Sequence, residues 1–235
     1  GPVAQCMDIH RGDRFTTLVA MDTESFFGKD FVEKKTGKEC KDFRNGDHTT
    51  TLMRTAKGKV VEIQHNVMTP QPYNRLFKLT GTKGYATKYP TPEYALSGDA
   101  LKGTDAPQMD NLNAHGFMNA AQKQALEKKY YHPILTKYGE KGREMGHGGM
   151  DYIMDARLVY CLQNGLPLDM DVYDMAEWCS LAELGAISMD NNCAAVTFPD
   201  FTRGYWNMQQ GYKHAYAPAE EEAKTEAAAD AYTAA

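Results

Sequence analysis

Strand-like and helix-like patterns divide the chain into a front and a back. Phe15 to Phe27 is rich in Thr, Val and Phe and reads as a strand. Thr49 to Thr55 and Lys59 to Val67 are two more such runs, joined by Ala56-Lys57-Gly58, a link short enough for a tight hairpin. Leu76 to Thr80 and Gly84 to Lys88 flank Gly81-Thr82-Lys83-Gly84 in the same way. Successive runs joined by short links predict antiparallel pairing. Pro90 to Asp110 is dense in Pro and Gly and reads as loop.

The back is helical. Asn119 to Tyr131 has helix composition, and His132-Pro133 should end or kink that helix, because proline lacks an N–H and disfavours helical geometry in the residue before it. After the loop Gly146-His147-Gly148-Gly149, Met150, Ile153, Met154, Leu158, Cys161 and Leu162 recur at helical spacing and predict one apolar stripe. Gly165 and Pro167 stop that helix. Another starts at Asp169 or Asp171 as N-cap and runs through Trp178 towards Met189. Its apolar residues are spread widely round the axis, which predicts deep burial. Ala194 to Phe198 reads as a short strand, and Pro199 to Gly204 as a compact turn that packs the chain end onto the body.

Composition adds limits. The 235 residues are 42% apolar, enough for a core without disulfide staples. The formal charge is −5, and the five acids and one base from Tyr216 to Ala235 leave a nearly neutral body. Such a body gives no electrostatic reason to propose nucleic acid or an anionic membrane as partner. No apolar run approaches the roughly 20 residues that span a bilayer. Residues 216–235 are an Ala/Glu-rich tail expected to be disordered, leaving 1–215 as one domain. Five irregularly spaced cysteines read as buried free thiols.

Candidate chemistry is sparse. No metal-ligand spacing, serine elbow or P-loop is present, and no Gly-x-Gly-x-x-Gly follows a strand, so a main dinucleotide domain is not expected within this chain. Tyr73 lies in Thr69-Pro70-Gln71-Pro72-Tyr73-Asn74-Arg75, a link stiffened by two prolines. Its flat face and hydroxyl suit a sugar ring, and Arg75 can donate a fork of hydrogen bonds to a hydroxyl or acetamide oxygen. The alternative is that Tyr73 covers a sheet edge. His147, between glycines before a helix, is either a substrate contact or acid/base group, or a histidine packing the loop onto the sheet. Asp151 is expected to act at the helix start. Arg11-Gly12-Asp13-Arg14 is expected to be a turn with a local Asp–Arg pair, and Trp178 and Trp206 to serve the core or an interface.

Several separated segments then carry a resemblance. Gly146-His147-Gly148-Gly149-Met150-Asp151, Asn164-Gly165-Leu166-Pro167-Leu168-Asp169-Met170-Asp171-Val172-Tyr173-Asp174 and Pro199-Asp200-Phe201-Thr202-Arg203-Gly204 resemble glycoside hydrolase family 109, within the Gfo/Idh/MocA oxidoreductase superfamily. Gly1-Pro2-Val3-Ala4-Gln5, Arg11-Gly12-Asp13-Arg14, Pro72-Tyr73-Asn74-Arg75 and Gly81-Thr82-Lys83-Gly84 fit as well. The resemblance implies an α+β domain with a large open, mainly antiparallel sheet and helices on one face. It implies an amino-terminal Rossmann domain that binds NAD and a Tyr-Pro-Thr-His segment just before Gly1 that holds a catalytic histidine. It also implies α-N-acetylgalactosaminidase activity in which C3 of the sugar is transiently oxidised, the C2 proton is removed, the aglycone is eliminated and water adds to C1. Of the family's substrate contacts only Tyr73 maps here; Arg75 and His147 are additions on chemical grounds. The implied partners are a sugar with terminal N-acetylgalactosamine, the Rossmann domain and a homo-oligomer, in the periplasm or outside the cell by analogy with bacterial relatives. A sugar dehydrogenase domain and a non-catalytic dimerisation domain are the alternative readings.

Overall fold

The computed structural model describes residues 1–108 and 116–211. The expected acidic tail, 216–235, and the end of the expected 90–110 loop lie outside the described residues. The described residues form two compact units, one within Gly1–Pro70 and 157–211, the other within Gln71–Ala156.

The first unit is built on a four-stranded antiparallel sheet in the order β3-β2-β1-β7. Its strands are β1 (Phe15–Asp22), β2 (His48–Thr55), β3 (Val60–Asn66) and β7 (Val196–Thr197). Helix α1 (Pro2–Cys6) precedes them, and α2 (Gly28–Thr36) sits between β1 and β2. A register shift between Phe15 and Thr17 explains how Phe15 and Leu18, three apart, both enter the core. Leu18 stands opposite Met53, and Met53 opposite Val61, so one row of apolar side chains crosses three strands. Ile9, Leu184 and Phe198 close that core.

Helix α6 (Val172–Asp190) lies against β1 at two small residues. A Cβ on Gly185 would stand 3.7 Å from the Ala20 Cβ. Two-residue β7 reaches only Thr17 and Leu18, so the Ala20 N–H beyond its end donates to the buried Ser188 hydroxyl at 3.0 Å. That hydroxyl donates in turn to the Ala194 carbonyl at 2.7 Å, so the Ala20 N–H is paired through a side chain where the ladder ends. Deep burial of α6 was expected, but only its sheet-facing side is covered; Val172, Met175 and Ile187 are exposed.

The second unit holds the antiparallel sheet β4 (Lys78–Gly81), β5 (Gly84–Thr87), β6 (Glu93–Leu96). Leu101, Met118 and Leu126 form its core. Helix α3 (Ala120–Lys129) starts on a capping box in which Asn119 accepts from the Gln122 N–H at 3.0 Å and the Gln122 side chain accepts from the Asn119 N–H at 3.0 Å. His132-Pro133 separates α3 from a helix the pattern did not predict, α4 (Pro133–Arg143), with proline in the first turn and His132 Nδ1 accepting from the Ile134 N–H at 3.2 Å. Helix α5 (Met150–Gln163) follows, and the boundary between the units falls within it.

The expected α+β class with antiparallel strands is the one the chain adopts, its strands shared between two sheets. Three details differ from expectation. β6 lies inside the expected loop, too short to show alternation. The first strand stops at Asp22, because Asp47 takes the N–H groups of Phe26, Phe27 and Gly28 at 2.7–2.8 Å and turns them into the start of α2. The α5 stripe is covered only in part: Cys161 is buried beside Arg157, which turns inward to Asp169 at 2.9 Å, while Met150, Met154, Leu158 and Leu162 are exposed. The cysteines, too, depart from the expected burial: only Cys161 is buried, while Cys6 and Cys179 are exposed. No described helix is long and apolar enough to cross a membrane.

Candidate functional site

Two of the three expected substrate contacts are neighbours in space. The Arg75 Nε–H donates to the Tyr73 hydroxyl. The guanidinium carbon lies 5.7 Å from the Tyr73 ring centroid, and Tyr89 meets the same ring edge-on at 6.2 Å. Tyr73 is 73% exposed. Its hydroxyl keeps a donor, and Arg75 keeps its other N–H groups, for an arriving polar ligand.

His147 stands apart from this pair. Its Nδ1 lies 3.0 Å from Asp151 Oδ2, in the first turn of α5, and both side chains are exposed. The loop therefore presents the imidazole to solvent instead of packing it on a sheet. Gly146, His147, Gly148 and Gly149 all have positive φ, at 75°, 49°, 64° and 84°. Gly149 presses against Gly142 of α4, where no side chain would fit.

The densest cluster of buried charge among the described residues lies in the first unit, where pattern reading gave only a turn at Arg11–Arg14 and an N-cap candidate at Asp171. Arg11 donates to Asp174 through both terminal nitrogens, at 2.7 and 2.8 Å, and to Asp171 at 3.3 Å. His10 Nε2 meets the Glu177 carboxylate, and His10 Nδ1 is 3.5 Å from Asp174 Oδ1. His10, Arg11, Asp174 and Glu177 are all buried. Asp171 and Asp174 also form the capping box of α6: Asp171 Oδ1 accepts from the Asp174 N–H at 3.1 Å, and Asp174 Oδ2 from the Asp171 N–H at 2.9 Å. The expected local pair within Arg11 to Arg14 does not form. Asp13 instead accepts from the backbone of Arg14 and Lys57 and faces the Lys59 ammonium at 3.3 Å, while Arg14 reaches Asp200 at 4.0 Å.

Ligand atoms of His10, Asp171 and Asp174 lie within 4.8 Å of one another. The Arg11 guanidinium already fills the acceptor positions between the two aspartates, and His10 Nε2 is taken by Glu177. The geometry is therefore that of a guanidinium site.

Burial opposes the charged form of His10, but its contacts to Asp174 and Glu177 outweigh burial and raise its pKa to about 9. Burial likewise pushes Asp174 up, and the bonds from His10 and Arg11 outweigh it, leaving a pKa of about 2. The raised His10 value contributes stability that is complete below 6.5 and lost as pH rises through about 9. The depressed Asp174 value contributes stability that is present above 3.8 and lost as pH falls through about 2. Urea midpoints measured against pH are expected to decline on the alkaline side from 6.5 upward, and His10→Gln is expected to flatten that limb. An unchanged alkaline limb in His10→Gln would show that another group controls it.

The first unit thus carries a charge-locked helix start, and the second presents an exposed Tyr–Arg pair. Comparison with known proteins gives the family. The profile of glycosyl hydrolase 109, C-terminal domain, matches residues 1–208. Glycosyl hydrolase family 109 protein 3 of Phocaeicola vulgatus is 85% identical over 233 residues, covering 99% of this chain and 42% of the relative. Protein 5 of the same organism is 70% identical over 236 residues, covering 100% of this chain and 45% of the relative. Protein 1 of Bacteroides thetaiotaomicron is 57% identical over 218 residues, 92% of this chain and 47% of the relative. The chain belongs to glycosyl hydrolase family 109, as its C-terminal domain, and it spans less than half the length of these relatives.

Proposed function

We propose that this chain is the substrate-side part of an NAD-dependent glycosidase that removes terminal N-acetylgalactosamine by oxidation at C3, elimination and water addition. Membership of the family across residues 1–208 is the observation that supports it. NAD, held by the remainder of the full-length protein, would supply reversible acceptance of the C3 hydride. Among the described residues the named strands all pair antiparallel, and the reading assigns none of this chain's residues to the cofactor.

The assigned work of this chain is to hold the sugar. The Tyr73 ring offers a flat surface to the apolar face of a pyranose, and its hydroxyl donates to a ring substituent. Arg75 fixes the Tyr73 hydroxyl and turns its remaining N–H groups to a hydroxyl or acetamide oxygen. His147, oriented by Asp151, is assigned a further polar contact.

The test is the full-length protein with an α-linked chromogenic N-acetylgalactosaminide. Tyr73→Phe is expected to lower kcat/KM about tenfold, the worth of one hydrogen bond of about 1.4 kcal/mol, with an unchanged Tm because the side chain is exposed. His147→Ala is expected to reduce activity at unchanged Tm. Wild-type kinetics in Tyr73→Phe would remove its assigned role. Net reduction of NAD with a free sugar, and no release of the chromophore, would replace the glycosidase by a dehydrogenase.

A further inference from the structure

The Tyr73–Arg75 pair lies in a stretch of one-sided charge. No Asp or Glu stands between Glu62 and Glu93, although the chain has 31 acids among its 235 residues. The same stretch holds Arg75, Lys78, Lys83 and Lys88. Solubility alone does not ask for this, since a surface of interspersed signs serves it as well. The second unit folds the stretch back on itself. The Lys88 N–H donates to the Phe77 carbonyl at 2.9 Å, and the Thr87 hydroxyl donates to the Tyr89 carbonyl at 3.1 Å. Lys88 and Tyr89 are thereby set beside the residues that follow Arg75.

Two rings and two cations meet there. Tyr89, half-buried, meets the exposed Tyr73 ring edge-on at 6.2 Å. The Lys88 ammonium lies 5.8 Å from the Tyr89 centroid, and the Arg75 guanidinium carbon 5.7 Å from the Tyr73 centroid. The cations thus flank a pair of touching rings. Among the described residues neither cation meets a carboxylate within ion-pair distance. The Tyr73 hydroxyl is the partner of Arg75 and, with Tyr89, holds its pKa up. Glu93, the first acid to follow, is taken by Lys123 at 3.2 Å. Two neighbouring cations without a counter-charge make a local positive field that draws an anion. A neutral sugar would engage the ring and the hydroxyl and leave Lys88 without a role.

We infer that the glycan held at Tyr73 carries an oxyanion, a sulfate ester or a carboxylate, which Arg75 and Lys88 recognise together. The guanidinium offers it N–H groups in a planar fork, and the ammonium a point charge. The inference rests on the reading of Tyr73 and Arg75 as the sugar-holding pair, and it narrows the substrate class to acidic glycans.

Calorimetric titration of the full-length protein tests it with three probes: N-acetylgalactosamine, its 6-sulfate, and the disaccharide in which it is α-linked to glucuronate. At least one acidic sugar is expected to bind about tenfold more tightly than the neutral one, by a margin that shrinks as salt is raised. Preference for the 6-sulfate points to a sulfated glycan, and preference for the disaccharide to one bearing a uronate; either supports the inference. Lys88→Met is expected to bring the ratio of acidic to neutral affinity to about one. Lys83→Met, in the turn at the far end of the β4–β5 hairpin, is expected to keep it. Equal affinity of the wild type for neutral and acidic sugars overturns the inference and leaves the sugar-holding pair standing. An equal fall of the ratio in both variants overturns it too, because the attraction is then diffuse. Binding of none of the three overturns the sugar-holding pair, and the inference with it.

Discussion

Replacing Arg11 with methionine is expected to lower the unfolding free energy by about 3–5 kcal/mol, the usual cost of removing one partner from a buried ion pair. The variant leaves His10 facing two buried acids, Asp174 and Glu177, with no second cation. Asp174 would then have to take up a proton or stay charged without its two bonds of 2.7 and 2.8 Å. It would do so while still serving the N-terminus of α6. Arg11→Lys should recover part of the loss, since an ammonium keeps the charge but cannot reproduce the two-pronged geometry. Arg44 provides the contrast. It meets Asp190 at 2.6 Å, a shorter contact, yet the two side chains are 77% and 58% exposed. Arg44→Ala is therefore expected to cost less than about 1 kcal/mol. Urea unfolding of the three variants checks the order; equal losses for Arg11→Met and Arg44→Ala would refute the assigned weight of burial.

This cluster also shows where a sequence stops being readable. The β2–β3 hairpin, the cap at Asp171 and the stop at Gly165 rest on residues close in the chain, so each announced itself. Arg11 and Asp174 are 163 positions apart, and their pairing is set by how α6 lies on β1, which no local pattern encodes. One signal was present. Asp174 and Glu177 share a helix face with Leu184 and Ser188, and acids on the core side of a helix call for a buried cation. The exposed stripe of α5 fails for a related reason. Helical spacing says which residues share a face, but not whether this chain or another part of the protein covers it. The Tyr73–Arg75 pair was legible because two residues on a proline-stiffened link can hardly avoid each other. His147 was legible as a loop residue, but its partner Asp151 was read only as a helix-start residue.

Gly149→Ala is expected to cost about 2–5 kcal/mol, from two sources that a second variant separates. Gly149 has φ +84°, so any side chain there adopts a left-handed conformation at about 1–2 kcal/mol. A Cβ would also stand 2.6 Å from the Gly142 carbonyl carbon and 2.9 Å from its Cα, and backbone cannot rotate away as a side chain can. Forcing that contact open adds about 1–3 kcal/mol. Gly148, one residue earlier, has φ +64° with nothing within 4 Å of a Cβ. Gly148→Ala should therefore show the conformational cost alone, about 1–2 kcal/mol. Thermal unfolding of both variants measures the difference, and equal losses would mean that α4 and the loop move apart freely. The same contact positions His147. Gly149 lets the chain turn directly into α5, which puts Asp151 beneath His147 at 3.0 Å. Pushing the loop off Gly142 displaces His147 from that carboxylate, so in the full-length protein Gly149→Ala is expected to lose the contribution to activity proposed for His147 along with its stability, whereas Gly148→Ala keeps it.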